Sequence, residues 1–218
     1  MEDTKSYWIS HGLKFSSYYS KNSYGLKKYL SRFLELRSLS VVKLIKNENL
    51  DKVLDVGCGS GEHMKLLSYR SKIITGVDIS LQMIFQAKKN LKQLNINNFE
   101  LVLGGAESLP FKDNSFTSII CVGVTDYVPN PSRVLSECYR LLKKEGHLVF
   151  TIPKKPSIFF FLRGKFGGLL KRKIFGMVPV TNTLSKKELC LLLDNSGLKV
   201  ISIGSLWTSI WIVKCVKK

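Results

Sequence analysis

Asp55, the glycines of Gly57-Cys58-Gly59-Ser60-Gly61 and Asp78 are the residues whose types and spacing could do chemistry together. Glycine at alternate positions lets a backbone turn sharply and approach a ligand that any Cβ would push away. A helix that follows such a turn directs its free N–H groups at the same ligand. Asp78 ends the next apolar run about 20 residues beyond the glycines, where a carboxylate accepts hydrogen bonds from ribose hydroxyls. Together these residues suggest a cradle for a nucleotide-like cofactor. The turn reads GxGxG and not the GxGxxG that accommodates a pyrophosphate, which disfavours a pyrophosphate cofactor. Asp78 could instead cap a helix, but Ser80 is better placed to cap the one that begins at Leu81.

Elements must hold those residues in place. Residues 53–56 and 72–78 read as strands, with a helix after the glycine turn. Leu81, Ile84, Phe85, Leu91 and Leu94 are expected to form the apolar stripe of a further helix. A strand follows at 99–104, and the nearly continuous apolar run 116–122 suits a strand covered on both faces. Asn130 as cap with Pro131 at the first helical position opens a helix to about 142. Residues 144–146 are expected to turn the chain into a fifth strand, 147–153. Ser185-Lys186-Lys187-Glu188 is a capping box, so a helix starts there and ends near Gly197. Runs 198–203 and 210–216 lie too close for a helical crossover and must pair antiparallel. Before all of these, residues 7–49 carry Leu26, Leu30, Phe33, Leu34 and Leu36 at helical spacing. The expected fold is α/β: a Rossmann-like, doubly wound, seven-stranded and mostly parallel sheet with an antiparallel C-terminal strand.

At 218 residues and 44% hydrophobic, the chain suits one domain with a sizeable core. Expected divisions are a helical cap at 1–49, a cofactor-binding core at 50–153, a basic aromatic insert or lid at 154–184, and a terminal helix and hairpin at 185–218. A net charge of +18 favours anionic partners, although scattered lysines also suit a solvated surface. Cys58, Cys121, Cys138, Cys190 and Cys215 are far apart with no CxxC pair, which argues against zinc and for reduced thiols in the cytoplasm. The first residues lack the apolar core of a signal peptide, and no apolar run approaches the ~20 residues that span a bilayer. A cytoplasmic protein, peripheral to a membrane if it meets one, is expected.

Several motifs stand in one order: the run from Val53 to Gly61, Gly76-Val77-Asp78-Ile79-Ser80, Gly105-Ala106-Glu107-Ser108-Leu109-Pro110-Phe111, Asn114-Ser115-Phe116, Tyr127-Val128-Pro129-Asn130-Pro131, and Leu141 through Leu148 to Pro153. With them the middle half of the chain resembles the class I S-adenosylmethionine-dependent methyltransferases, in particular the branch that includes the ubiquinone and menaquinone C-methyltransferases. The resemblance implies S-adenosyl-L-methionine as cofactor. It implies that Asp55, Gly57, Cys58, Gly59 and Gly61 hold its methionine part, Asp78 its ribose, and Ile79 and Met83 one adenine face. Ala106 and Glu107 would lie near the adenine edge, and Val122 completes the set. Relatives often carry an aspartate just before that alanine, where this chain has Gly105.

Methyl transfer from a sulfonium is an in-line displacement, so alignment and exclusion of water can carry much of the catalysis and a base is optional. Asp126, Tyr127 and His11 are the candidate proton acceptors, whereas His63 and His147 are not expected to serve. Tyr18 and Tyr19 could close the site. Residues 156–175 mix aromatics with cations, which suggests a small, apolar or lipid-like acceptor and peripheral contact with an anionic membrane. The alternatives are an RNA or DNA methyltransferase, suggested by the charge, and a non-catalytic cofactor-sensing module. Against the first, Thr125-Asp126-Tyr127-Val128 stands where exocyclic-amine methylators carry an Asn/Asp-Pro-Pro-aromatic motif.

Overall fold

A computed structural model describes residues 6–9, 26–155, 182–207 and 209–218. The strands are β1 (Lys52–Val56), β2 (Ile73–Asp78), β3 (Phe99–Leu103), β4 (Phe116–Cys121), β5 (Leu142–Pro153), β6 (Lys199–Leu206) and β7 (Ile210–Val216). They join in one seven-stranded sheet in the order β3-β2-β1-β4-β5-β7-β6. Contacts from β3 to β5 are parallel, and β7 runs antiparallel to both β5 and β6. Helices α1 (Leu26–Ile45), α2 (Glu62–Leu67), α3 (Leu81–Gln93), α4 (Pro131–Leu141) and α5 (Lys186–Asp194) complete the described fold, with a helical turn at 6–9. This is the α/β class expected from the sequence.

Side chains along the central strands alternate between two cores, as a period of two requires of strands covered on both faces. Leu54, Val56, Ile119, Cys121, Leu148 and Phe150 pack with Val134, Leu135 and Leu141 of α4 and Leu189 and Leu193 of α5. Val53, Ile120, Val122 and Val149 pack on the other face, with Phe33, Leu34, Val41 and Ile45 of α1, Met64 and Leu67 of α2 and Leu91 of α3. Complete burial of each large aliphatic side chain contributes about 1.5–3 kcal/mol, so the two faces together anchor the strand ends. Asp55 lies two residues beyond Val53, and so faces α1 to α3. The strand order reverses between β1 and β4, which opens the crevice beyond their carboxyl ends where open α/β sheets take ligands.

Local signals set most boundaries. Ser80 caps α3 by accepting from Met83 N–H, and Asn130 caps α4 by accepting from Arg133 N–H, with Pro131 behind it. Ser185 and Glu188 form the reciprocal capping box of α5. Two expectations need correction. The buried face of α3 is Met83, Ala87 and Leu91, while Leu81, Phe85 and Leu94 are exposed. The buried positions are spaced by four, and α3 packs closely on the glycine turn at Ala87: a Cβ on Gly61 would lie 3.4 Å from Ala87 Cβ. Residues 144–146 do not end an element, since β5 already begins at Leu142 and carries an irregularity there. Glu145 adopts φ 60° inside the strand, and its N–H donates to Lys217 O at 2.7 Å, so pairing to the chain's end carries the strand through the bend.

Candidate cofactor and acceptor site

The glycine turn is built from left-handed backbone. Gly57, Gly59 and Gly61 have φ of 71°, 52° and 87°. At Gly57 the requirement is double, because a Cβ there would also overlap Val124 Cγ2 from the loop after β4. Gly57 and Cys58 N–H both donate to Val77 O, at 2.7 and 2.9 Å, which pins the turn to the end of β2. Asp78 finishes that connection: Oδ2 accepts from Gly59 N–H and Oδ1 from Ser80 N–H, both at 2.9 Å. Each carboxylate oxygen has two lone pairs, so Asp78 can accept twice more. Burial pushes its pKa up, while the N–H groups of Ser80, Gly59 and Ile79 oppose that rise.

Beneath the turn the polar groups are not saturated. Asp55 is fully buried, and neither carboxyl oxygen has a hydrogen-bond partner among the described residues. Its pKa is raised well above the usual carboxylate range, first by burial and then by the charge of Asp78. His63 Nδ1 lies 3.9 Å from Asp55 Oδ2, beyond hydrogen-bond range, and His63 Nε2 has no partner. Burial, and then the positive charge of Arg37, lowers the imidazole to about 3, so His63 is neutral and the contact is not an ion pair. Arg37 reaches this layer from α1, where it is buried beside Phe33, Leu34, Ser38 and Val41. A Cβ on Gly123 would meet Arg37 Nη1 at 2.8 Å, so the guanidinium lies against the loop after β4.

The other expected cofactor residues are brought to the same lip. Met83 Cε lies 3.6 Å from a Cβ built on Gly59, and Ile79 Cδ1 lies 3.9 Å from one built on Gly105. Gly105 is otherwise open, so half-buried Ile79 borders the space beside it. Ala106 packs on the core, and Val122 is buried at the end of β4. Glu107 is engaged elsewhere: Oε1 accepts from Asn130 N–H at 3.1 Å and its carbonyl from Arg133 Nε at 2.9 Å.

In the loop after β4, Asp126 is buried and Tyr127 half-buried. Asn182 clasps that loop, donating to Thr125 O at 2.8 Å and Val128 O at 2.7 Å. Trp8 packs edge-on against Tyr127 at 5.1 Å, and Tyr7 against Trp8 at 5.8 Å. Leu184 N–H donates to Pro153 O and Lys155 N–H to Leu184 O, each at 2.9 Å, so Lys155 and Leu184 are held side by side at the end of β5. His11, Tyr18, Tyr19 and residues 156–175 lie outside the described residues. The sequence reading missed Arg37, Asn182 and Trp8. For Arg37 a signal was available: it falls on the face set by Phe33, Leu34, Val41 and Ile45. His147, set aside as a base, stands at the opposite end of the sheet with Nδ1 3.2 Å from Glu48. A depression of about 500 Å³ also opens at that end, lined by Lys52, Lys72, Thr117, Lys143 and Lys144, and contains none of the expected site residues.

The fold and the lip define an α/β scaffold with a cofactor crevice at its strand-order reversal. Residues 54–150 match the family described as "Methyltransferase domain". A demethylmenaquinone methyltransferase of Thermotoga maritima is 32% identical over 73% of this chain and 75% of its own length. An uncharacterized protein of Methanocaldococcus jannaschii is 29% identical over 84% of this chain and 71% of its own. The crystal structure of Synechocystis magnesium protoporphyrin IX methyltransferase with bound S-adenosylhomocysteine superposes with a TM-score of 0.76 over 99% of this chain and 100% of that one, at 20% identity. The chain belongs to the class I S-adenosylmethionine-dependent methyltransferases, and its cofactor is S-adenosyl-L-methionine.

The residues present fit that cofactor. Asp55 offers two orphaned acceptors for a cationic group, a turn without Cβ atoms offers close approach, and Asp78 retains acceptor capacity for a pair of hydroxyls. Among the described residues no helix is long and apolar enough to cross a membrane.

Proposed function

We propose that the enzyme methylates a small apolar acceptor on carbon or oxygen, of the quinone-precursor kind named for its Thermotoga maritima relative. The observation that carries this reading is the aromatic wall of Tyr7, Trp8 and Tyr127 at the same lip as the glycine turn. Flat aromatic surfaces beside a crevice receive an apolar ring, and burial of that ring excludes water from the transfer. S-adenosyl-L-methionine supplies an electrophilic methyl group on a sulfonium. Asp55 and the turn at Gly57, Cys58, Gly59 and Gly61 hold its aminoacyl end, Asp78 its ribose, and Ile79, Met83, Ala106 and Val122 the adenine. Glu107 acts through its hydrogen bond to Asn130, fixing the start of α4 next to the adenine edge. Asp126 and Tyr127 stand where a proton leaving the acceptor could be taken up, and Asn182 sets the loop that carries them.

In this reading residues 1–49 cap the crevice, 50–153 bind the cofactor, 154–184 cover the acceptor, and 185–218 brace the sheet. Contact of 156–175 with an anionic membrane would bring a lipid-like acceptor to the lip. A nucleic-acid acceptor is less supported, because the lysines of the basic depression lie at the far end of the sheet from the turn. The test is to incubate protein, S-adenosyl-L-methionine and a cell extract, then search the organic and aqueous phases for a mass gain of one methylene. We expect the gain in an apolar aromatic compound. A gain confined to RNA or to polar metabolites would refute the acceptor assignment.

A further inference from the structure

Asp55 is a fully buried acid whose carboxyl oxygens have no hydrogen-bond partner among the described residues. It faces Asp78 from β2, Cys58 from the turn, His63 from α2 and Cys121 from β4, with Arg37 of α1 acting on His63 from behind. Asp78 already accepts from Gly59 and Ser80. Burial pushes the Cys58 thiol up, and a hydrogen bond with Cys138, together with burial, pushes up Cys121, so both thiols keep their protons. His63 alone among these neighbours is neutral with a nitrogen facing the carboxyl, 3.9 Å away, and its other nitrogen is unpartnered. No described group stabilises a charge on Asp55, so the buried acid is favoured in its neutral form until a cation arrives.

We propose that His63 is a positioning residue: when a cationic aminoacyl group docks on the glycine turn, Asp55 passes its proton to His63 Nδ1, and the carboxylate so formed holds the cation. This inference rests on the cofactor reading above. The O–H bond of Asp55 breaks and leaves its electron pair on oxygen, while an N–H bond forms with the imidazole lone pair. No proton enters or leaves the protein. The two side chains must close by about an ångström to reach hydrogen-bond range. Afterwards carboxylate and imidazolium form a buried ion pair whose carboxylate also faces the ligand. Arg37 disfavours the imidazolium, so the charge-separated form requires the ligand. Sequence alone carries no sign of this pairing, because His63 and Asp55 are joined only by the fold of α2 onto β1.

Titration calorimetry with S-adenosylhomocysteine at pH 7, in buffers of different ionisation enthalpy, counts protons released on binding. Wild type is expected to release about one proton fewer per ligand than His63→Gln, which has no basic nitrogen to keep it. Equal release by the two proteins would overturn the proposal. A second measurement needs no variant: in histidine-¹⁵N-labelled wild type, the ring nitrogens of His63 should move from a neutral to an imidazolium pattern on ligand addition, and an unchanged pattern would overturn it. Binding with equal proton release would remove only this inference. Failure of the wild type to bind at all would remove the cofactor assignment beneath it as well.

Discussion

The two ends of the sheet use polar residues in opposite ways. At the amino-terminal end, polar side chains complete one another: Lys72 pairs with Asp51 at 3.0 Å, and Glu48 receives both Lys214 and His147. Arg140 joins Glu137, Asp113 and the carbonyls of Leu109 and Phe111 within 3.1 Å. At the carboxyl-terminal end, Asp55 and His63 are more deeply buried than any of these, yet three of their polar atoms lack a hydrogen-bond partner among the described residues. Burying an unpaired polar atom costs on the order of 1–3 kcal/mol, which a fold tolerates where a ligand will complete the set. Saturated networks therefore mark structure, and deficient ones mark the place of binding.

Five substitutions break or sharpen that contrast. The largest effect is expected at Asp78→Ala, which frees Gly59 N–H and, in the proposed reading, removes two acceptors for ribose: affinity for S-adenosylhomocysteine should fall about a thousandfold by calorimetry, for two charge-assisted hydrogen bonds of about 2 kcal/mol each. Gly57→Ala forces a Cβ onto Val124 at φ 71°. Backbone strain and overpacking together should cost about 3 kcal/mol in urea denaturation, with weakened ligand binding alongside. At the saturated end, Arg140→Met should cost about 1–2 kcal/mol and leave the dissociation constant unchanged, because its partners are partly solvated and remote from the crevice. A matching loss of affinity there would erase the distinction between the two ends.

Acid sensitivity supplies the smallest and most particular difference. His63 titrates near 6.5 when unfolded and at about 3 when folded, so the unfolded chain binds more protons between those values. Its contribution to stability is present above pH 6.5 and is lost as pH falls towards 3. Glu137 is lowered chiefly by its hydrogen bond to Arg140, so its contribution is present above about pH 4.5, the unfolded value, and is lost as pH falls through the lower folded value. His63→Gln should flatten the stability profile between pH 6.5 and 5, whereas Glu137→Gln should lower stability by a constant amount across that interval, leaving its slope unchanged, and lose its effect as pH falls below about 4.5. Denaturation curves collected across that range separate the two.

Much of this was legible in the chain. The glycine turn, the Asp78 strand end, the Asn130-Pro131 cap and the Ser185 capping box are local signals, readable because each is satisfied within a few residues of itself. The stripe of α3 was misread because spacing shows that a helix has an apolar face and not how near its neighbour lies. Leu81 and Phe85 are large enough to dominate the pattern, but the tight approach of α3 to Gly61 admits Ala87. The bend at Glu145 reads as a boundary in sequence because its pairing partner, Lys217, is far along the chain.

Arg37, His63, Asn182 and Trp8 show the same limit at the site. Arg37, Asn182 and Trp8 touch it from elements distant in sequence, His63 reaches Asp55 only through the fold of α2 onto β1, and no pattern in their own neighbourhoods names the partner. Sequence by itself determined the order of strands and helices, the caps that start them and the backbone freedom of the turn, since those depend on residue type and short-range sterics. Only the tertiary structure decided which acid stays unpaired, which histidine stands beside it and which aromatics face the crevice. Burial and partnership arise when separate segments pack together.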